Sequence, residues 1–182
     1  MTFADVLTPE KLPPQLLRLL PPPRALAHAL RLVPPDWQGR TLTRFFNRMV
    51  VAALPAATLA FLEQRRLAIE VEDLGLRWVF MGTGGHLQAL AADAGAEATI
   101  RGRALDLLLL ASQLEDADTL FFQRRLTMTG DTALGLETRN VLDQLPWERL
   151  TPGLRIALNR IARLAQAAHD VRGSRPPHPL AP

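Results

Sequence analysis

The sequence has no cysteine and no tyrosine, and aromatic residues make up only 5% of it. Without thiols there can be no disulfide and no thiolate metal site, and the redox compartment stays undecided. Serine occurs only as Ser112, inside a leucine-rich stretch, and as Ser174 in the C-terminal tail. Histidine occurs as His28, His86, His169 and His178, and no two of these stand three or four residues apart. A histidine metal site therefore lacks a helical ligand pair. A Ser/His/Asp arrangement would have to recruit Ser112 with His86 or His169, and no nucleophile-elbow glycines flank that serine. No apolar run reaches the ~20 residues that a bilayer-spanning helix needs. The longest run, residues 49–62, is broken by Pro55 and reads as two buried helices. Asp5 and the early prolines stand where a charged n-region and apolar h-region would be, which argues against a secretory signal. These absences leave few reacting groups and predict no metal, no cofactor and no catalysis.

What is present suits a compact protein. With 182 residues, 48% of them hydrophobic, the chain can bury a sizeable core. Its net charge of +3 conceals a division into segments. Residues 1–66 carry +5, residues 67–150 carry −6, and residues 151–182 carry +4. Basic ends around an acidic middle suit an anionic membrane surface, where each Lys or Arg contributes on the order of 1 kcal/mol. A solvated arginine-rich surface explains them equally well. Nucleic acid fits less, because the arginines alternate with leucine-rich runs and form no cluster with aromatics.

Along the chain, residues 1–37 form a proline-rich extension with short helical pieces, too short to be stable alone. From residue 38, Leu42, Phe45, Phe46, Met49, Val50 and Ala53 recur at helical spacing, and Pro55 is placed to start a second helix. Period two follows: Leu67, Ile69 and Val71 face one way, Glu70 and Glu72 the other. Leu76, Trp78 and Phe80 repeat it, and residues 86–92 and 97–101 supply two more strands. Gly82-Thr83-Gly84-Gly85 lacks the Gly-Lys-Ser/Thr of a phosphate loop and precedes a strand, so it predicts a hairpin turn. Residues 103–113 read as a leucine-heavy helix. From Thr151 an amphipathic helix is expected, with Leu154, Ala157, Leu158, Ile161, Ala162, Ala165 and Ala168 on its apolar face. It occupies residues 147–172, and residues 173–182 are expected to be disordered.

The most distinctive segment is DADTLFFQRRLTMTGDTALGLETRNVLDQL, residues 116–145. It reads as turn, strand, tight turn and helix, with Leu120-Phe121-Phe122 meeting Arg124-Arg125 and Asp131 as N-cap. The carboxylates of Glu115, Asp116 and Asp118 are assigned to capping and solvation. Arg124 and Arg125 suit either a bidentate hold on an anionic head group or pairing with a buried acid. This segment resembles the C-terminal half of a sterol-carrier-protein type-2-like domain, and in detail the UbiT family, the accessory factors of oxygen-independent ubiquinone biosynthesis. A second block agrees: Phe61-Leu62-Glu63, Arg65, the run from Leu67 to Leu76, and Trp78. Together they span residues 40–145, with mild departures at Ala117 and Ala133 in turn or solvent-facing positions.

The resemblance implies an α+β fold: a mixed, mainly antiparallel sheet of about five strands, covered on one face by helices that leave an apolar cavity. The domain would span residues 38–146. Residues expected to line the cavity are Trp78, Phe80 and Leu108, then Phe121, Phe122, Leu126 and Met128, and finally Leu134, Val141 and Leu142. Head-group or membrane contacts fall to Arg18, Arg24 and Arg31 of the extension and to Arg124 and Arg125. The implied function is non-catalytic: binding or presenting a prenylated quinone precursor, or a phospholipid, on the inner face of the cytoplasmic membrane. The implied partners are iron–sulfur hydroxylases that work without oxygen, and a homodimer stays open. A small lipid-modifying enzyme and a scaffold without its own lipid are the alternatives.

Overall fold

The structure, a computed structural model, describes residues 32–49, 56–143 and 152–173. Helix α1 (Pro35–Met49) starts where the Pro34 carbonyl accepts from the Trp37 and Gln38 amides. A 3-10 helix over Ala56–Leu62 follows. Strands β1 (Arg66–Val71), β2 (Leu76–Thr83), β3 (His86–Leu90) and β4 (Ala98–Gly102) come next. Helices α2 (Ala104–Ala111) and α3 (Ala117–Phe122), strand β5 (Leu126–Gly130), and helices α4 (Thr132–Asp143) and α5 (Pro152–Gly173) complete the described chain.

The sheet has five strands in the order β3-β2-β1-β4-β5. All pairs are antiparallel except β1 with β4. This is the α+β, mixed and mainly antiparallel sheet that the resemblance implies. Alternation along β1 decides the faces, because residues directly opposite in register share one. Leu67 lies opposite Phe80 and Ala98, Ile69 opposite Trp78 and Ile100, and Val71 opposite Leu76. This inner face carries the helices. On the other face Glu70 accepts from Arg77 at 2.9 Å and pairs with Arg101 at 2.6 Å. The β3–β4 connection crosses there, held by Arg77 Nη2 donating to the Ala94 carbonyl.

Two glycine sites decide the register. Gly84 and Gly85, with φ of 58° and 75°, form the two-residue hairpin between Thr83 and His86. Gly130, with φ of 98°, ends β5 so close to β4 that a Cβ would lie 2.1 Å from the Glu97 carbonyl oxygen. The Asp131 amide donates to that same oxygen at 2.8 Å. Asp131 then caps α4, accepting the Leu134 amide at 2.9 Å as expected.

Three local expectations are corrected. Residues 117–122 form α3, and the strand is confined to Leu126–Gly130. Asp116 decides this, accepting the Thr119 amide at 2.6 Å as N-cap, so Ala117, Leu120 and Phe121 share a helical face. After Pro55 the chain forms a 3-10 helix, whose three-residue turn buries Leu59 and Leu62 together. In α5, Ala162 and Ala168 of the expected face are buried, whereas Ile161 of the same face is 54% exposed and Ala157 is exposed too. Small alanines let α5 approach α2 closely, and the bulkier isoleucine turns outward. Arg18, Arg24, Arg31, Pro55 itself, the Thr151 cap and the C-terminal tail lie outside the described residues.

Candidate functional site

The inner face of the sheet is apolar from end to end, and its buried residues fall into separate clusters. At one end Leu67, Ala98 and Ile100 form a buried cluster with Leu62 and with Leu134 of α4. At the other, Val71, Leu74 and Leu76 form a second cluster, touched by Trp78 and by Leu107 of α2. A third cluster joins α2, α3 and β5 through Leu110, Ala117, Leu120 and Leu126. Phe121 and Leu142 bridge the first cluster to the third, and Leu107 bridges the second to the third. Among the described residues, none in these clusters joins the first directly to the second. Between them lies Ile69, in the central strand and opposite Trp78, and both side chains are only half-buried. An isoleucine in mid-sheet beneath a helical layer would ordinarily be fully covered. Ile69 and Trp78 are thus less covered than the clusters on either side of them.

The expected lining residues divide accordingly. Phe80, Leu126 and Leu134 are fully buried core. Trp78, Leu108, Phe121, Met128, Val141 and Leu142 are half-buried, as a partly open apolar wall would be. Phe122 is corrected: it is 91% exposed, because the helical period of α3 turns it away from Leu120 and Phe121. Arg139 lies over the Phe121 ring, 5.8 Å from its centre, and pairs with Asp118.

Of the two neighbouring arginines, Arg125 resolves to the pairing alternative. Its Nε donates to Asp106 at 2.8 Å and its Nη1 to Glu115 at 3.4 Å, tying α2 to the α3–β5 turn. Asp106 is only 6% exposed, so this guanidinium neutralises a buried carboxylate. Arg124, with φ of 58°, is exposed at that turn. Arg65 bridges Glu97 at 2.9 Å and Asp131 at 2.6 Å, joining the start of β1 to the start of α4. The Arg65 guanidinium, and then the Arg66 amide, hold the Glu97 carboxyl below its ordinary value. The Leu134 amide, and then Arg65, do the same for Asp131. Asp116 is lowered by the Thr119 amide and hydroxyl.

A second feature was not expected from the sequence. Strand β3 is the sheet edge, and α1 closes it with side chains. Asn47 accepts the Leu87 amide at 2.8 Å and donates to the Leu87 carbonyl at 2.7 Å, while Thr43 accepts the Ala89 amide at 3.0 Å. Phe46 meets Phe80 edge to face at 5.4 Å, and the Trp78 indole N–H donates to Gln38 at 3.3 Å. Where β3 runs out, a cleft of about 510 Å³ opens between α1 and residues 88–92. Arg40, Arg44 and Arg77 line it, with Trp78 as its apolar wall. The spacing of Arg40 and Arg44, opposite Leu42, Phe45 and Phe46, was legible as a polar helix face. That this face borders a cleft depends on β3.

Reacting groups do not converge among the described residues. The Ser112 hydroxyl donates to the Leu109 carbonyl at 3.1 Å, and His86 and His169 are exposed on separate elements. No cluster of three or more His, Asp or Glu suited to a metal ion is found among the described residues.

The family model described as the SCP-2 sterol transfer family matches residues 46–143. The chain is 35% identical over 145 residues to the ubiquinone biosynthesis accessory factor UbiT of Escherichia coli strain K12, covering 80% of this chain and 83% of that protein. Its counterpart in Escherichia coli O157:H7 gives the same values. Among solved structures, a UbiJ-SCP2 ubiquinone synthesis protein superposes with a TM-score of 0.49 at 16% identity, over 60% of this chain and 96% of that one. The sec-alkylsulfatase Pisa1 from Pseudomonas sp. gives 0.44 at 20% identity, over 56% of this chain and 16% of that one.

Proposed function

The chain belongs to the SCP-2 sterol transfer family and, within it, to the UbiT family of ubiquinone biosynthesis accessory factors, and from this premise we propose that it carries a lipid without chemistry of its own. The cargo is a hydrophobic prenylated intermediate of ubiquinone biosynthesis. The protein presents it, at the inner surface of the cytoplasmic membrane, to the iron–sulfur hydroxylases that modify it without oxygen.

What supports this most is the half-buried Ile69 between two separate core clusters. An empty hollow there is unfavourable, since residual cavity volume costs ~24 cal/mol per Å³. An isoprenoid or acyl tail fills it and leaves water, at ~0.8 kcal/mol per CH₂. A tail of about 15 carbons then has a gross transfer term near ~12 kcal/mol, and a bilayer offers nearly the same. The net preference is small, and a carrier that must both load and unload needs exactly such a balance.

For membrane contact, the exposed side of α1 presents Trp37, Arg40, Arg44 and Arg48 at helical spacing, the indole 68% exposed. Indole and guanidinium are the side chains that settle at a lipid–water interface. Arg18, Arg24 and Arg31, outside the described residues, are proposed as further membrane contacts. Among the described residues no helix is long and apolar enough to cross a membrane.

The test is extraction of the natively purified protein with organic solvent and mass spectrometry of the extract. A carrier releases a prenylated or acyl lipid near one per chain. An extract free of lipid, from protein purified without detergent, refutes the carrier and leaves an assembly scaffold.

A further inference from the structure

The two edges of the sheet are finished differently. At β3 the side chains of Asn47 and Thr43 bond the backbone groups of Leu87 and Ala89. At β5, among the described residues, the backbone pairs with β4 alone. The ladder fixes which groups are left over. The Glu72 amide donates to the Gly102 carbonyl, so Gly102 turns toward β1 and its neighbour Arg101 turns toward β5. Arg101 lies opposite Thr127 and Thr99 opposite Thr129, and bonded partners alternate along an antiparallel pair. Thr127 and Thr129 therefore direct their amides and carbonyls to β4, whereas Leu126 and Met128 direct theirs out of the sheet. Natural edges carry proline, lysine, a bulge or a covering loop against strand addition. Strand β5 has no proline and no charged residue, pairs with β4 without a bulge, and exposes Thr127, Thr129 and Gly130.

Charge decides what fits this edge. From residue 124 the strand and its flanks read Arg-Arg-Leu-Thr-Met-Thr-Gly-Asp, basic at the start and acidic at the end. Arg125 is bound to Asp106, but Arg124 is exposed and makes no ion pair among the described residues. A parallel copy of the strand would set arginine beside arginine. An antiparallel copy, with a two-fold axis through Met128, brings each Arg124 to the Asp131 end of the other chain. It also sets Thr127 opposite Thr129, a favourable cross-strand pair, and lets Met128 exchange its outward bonds with its own counterpart. We propose that β5 is a docking edge for a second copy of this chain, joined antiparallel about Met128 in an isologous dimer. The axis stands perpendicular to the sheet, so both helical layers lie on one side of a continuous sheet. Gly135 of α4 packs against Met128 on that side, and Leu136 follows it, 59% exposed. The proposal is independent of the lipid-carrier reading.

Sedimentation equilibrium of the full chain at rising concentration tests this. One short strand pair is a small interface, so a dimer with a dissociation constant of about 10–100 µM is expected. The variant T127K/T129K sets lysine opposite lysine twice and should weaken the dimer at least about tenfold, whereas T127K/T129E sets lysine opposite glutamate and should restore it. Both threonines are exposed, so circular dichroism of the variants should match the wild type. The chain has no cysteine, so T127C and T129C each carry a single thiol. Opposed, non-bonded positions of an antiparallel pair stand about 4.5 Å apart at Cα, within reach of a disulfide. Oxidation should cross-link an equal mixture of T127C and T129C, and neither variant alone. A wild type that stays monomeric well above the expected range leaves the edge to an extended segment of another protein and overturns the proposal. A dimer that T127K/T129K leaves intact overturns it too, as does T127C cross-linking to itself as readily as to T129C. None of these outcomes bears on lipid extraction, so the dimer and the carrier reading fail separately.

Discussion

Ile69 and Ile100 face each other across β1 and β4, on the same side of the sheet, yet one is half-buried and the other only 3% exposed. Truncating each to alanine makes a controlled comparison of identical chemistry. Ile100→Ala removes three buried carbons, worth ~2.4 kcal/mol in transfer alone, and leaves a void inside the Leu67–Leu134 cluster. The total should reach about 3–4 kcal/mol. Ile69→Ala removes the same atoms from a side chain that already borders open space. It loses about half the transfer term and creates little new cavity, so about 1 kcal/mol is expected. The assay is urea unfolding of delipidated protein, with m-values checked to be equal. Adding a bound lipid should then widen the effect at position 69, because the missing carbons now cost ligand contact. If Ile69→Ala costs as much as Ile100→Ala in the delipidated protein, the middle of the sheet is solidly packed and the hollow does not exist.

Three further outcomes follow from the ion pairs and the backbone. Arg125→Met strands the Asp106 carboxylate, 6% exposed, and should cost about 2–3 kcal/mol given the partial exposure of the arginine; pairing it with Asp106→Leu should recover most of the loss, and a double variant as unstable as the single one would refute the stranded-charge account. Gly130→Ala meets the Glu97 carbonyl oxygen and a left-handed φ, so at least about 1–2 kcal/mol should be lost; unchanged thermal unfolding would contradict the close β4–β5 approach. Glu97, Asp116 and Asp131 all have lowered carboxyl values in the fold, so each binds a proton less readily folded than unfolded. Their stabilisation is present above the unfolded values of about 4 and is lost as pH falls through the lowered ones. Denaturant midpoints should decline with acid below about pH 4, and Arg65→Gln should flatten that decline; an unaltered pH profile in Arg65→Gln would refute the Arg65–Glu97–Asp131 linkage.

The strands were legible because Leu67, Ile69 and Val71 alternate with Glu70 and Glu72 in β1, whereas in β2 the neighbours Val79 and Phe80 are both buried and the alternation is partial. The hairpin at Gly84-Gly85 and the cap at Asp131 were legible because each depends on one residue's local chemistry. Residues 117–122 misled because Leu120-Phe121-Phe122 is a short apolar run, and its period does not separate strand from helix. Capping at Asp116 was legible, but that it opens a helix and not a strand depends on the Thr119 amide it accepts. The α5 face was legible in part: Ala162 and Ala168 of the expected stripe are buried, and the approach to α2 decides that Ala157 and Ile161 of the same stripe stay exposed.

By itself the sequence determined which residues alternate, where caps and tight turns fall, and how few groups could do chemistry. These follow from nearest-neighbour sterics and from the free energy of hiding apolar area, both written into local order. Only tertiary structure decided that Ile69 is left half-covered, that Arg125 answers Asp106, and that Arg40 and Arg44 border a cleft with Arg77. Each of these depends on distances between segments many residues apart, set by how the helices sit on the sheet, and no local pattern encodes that spacing.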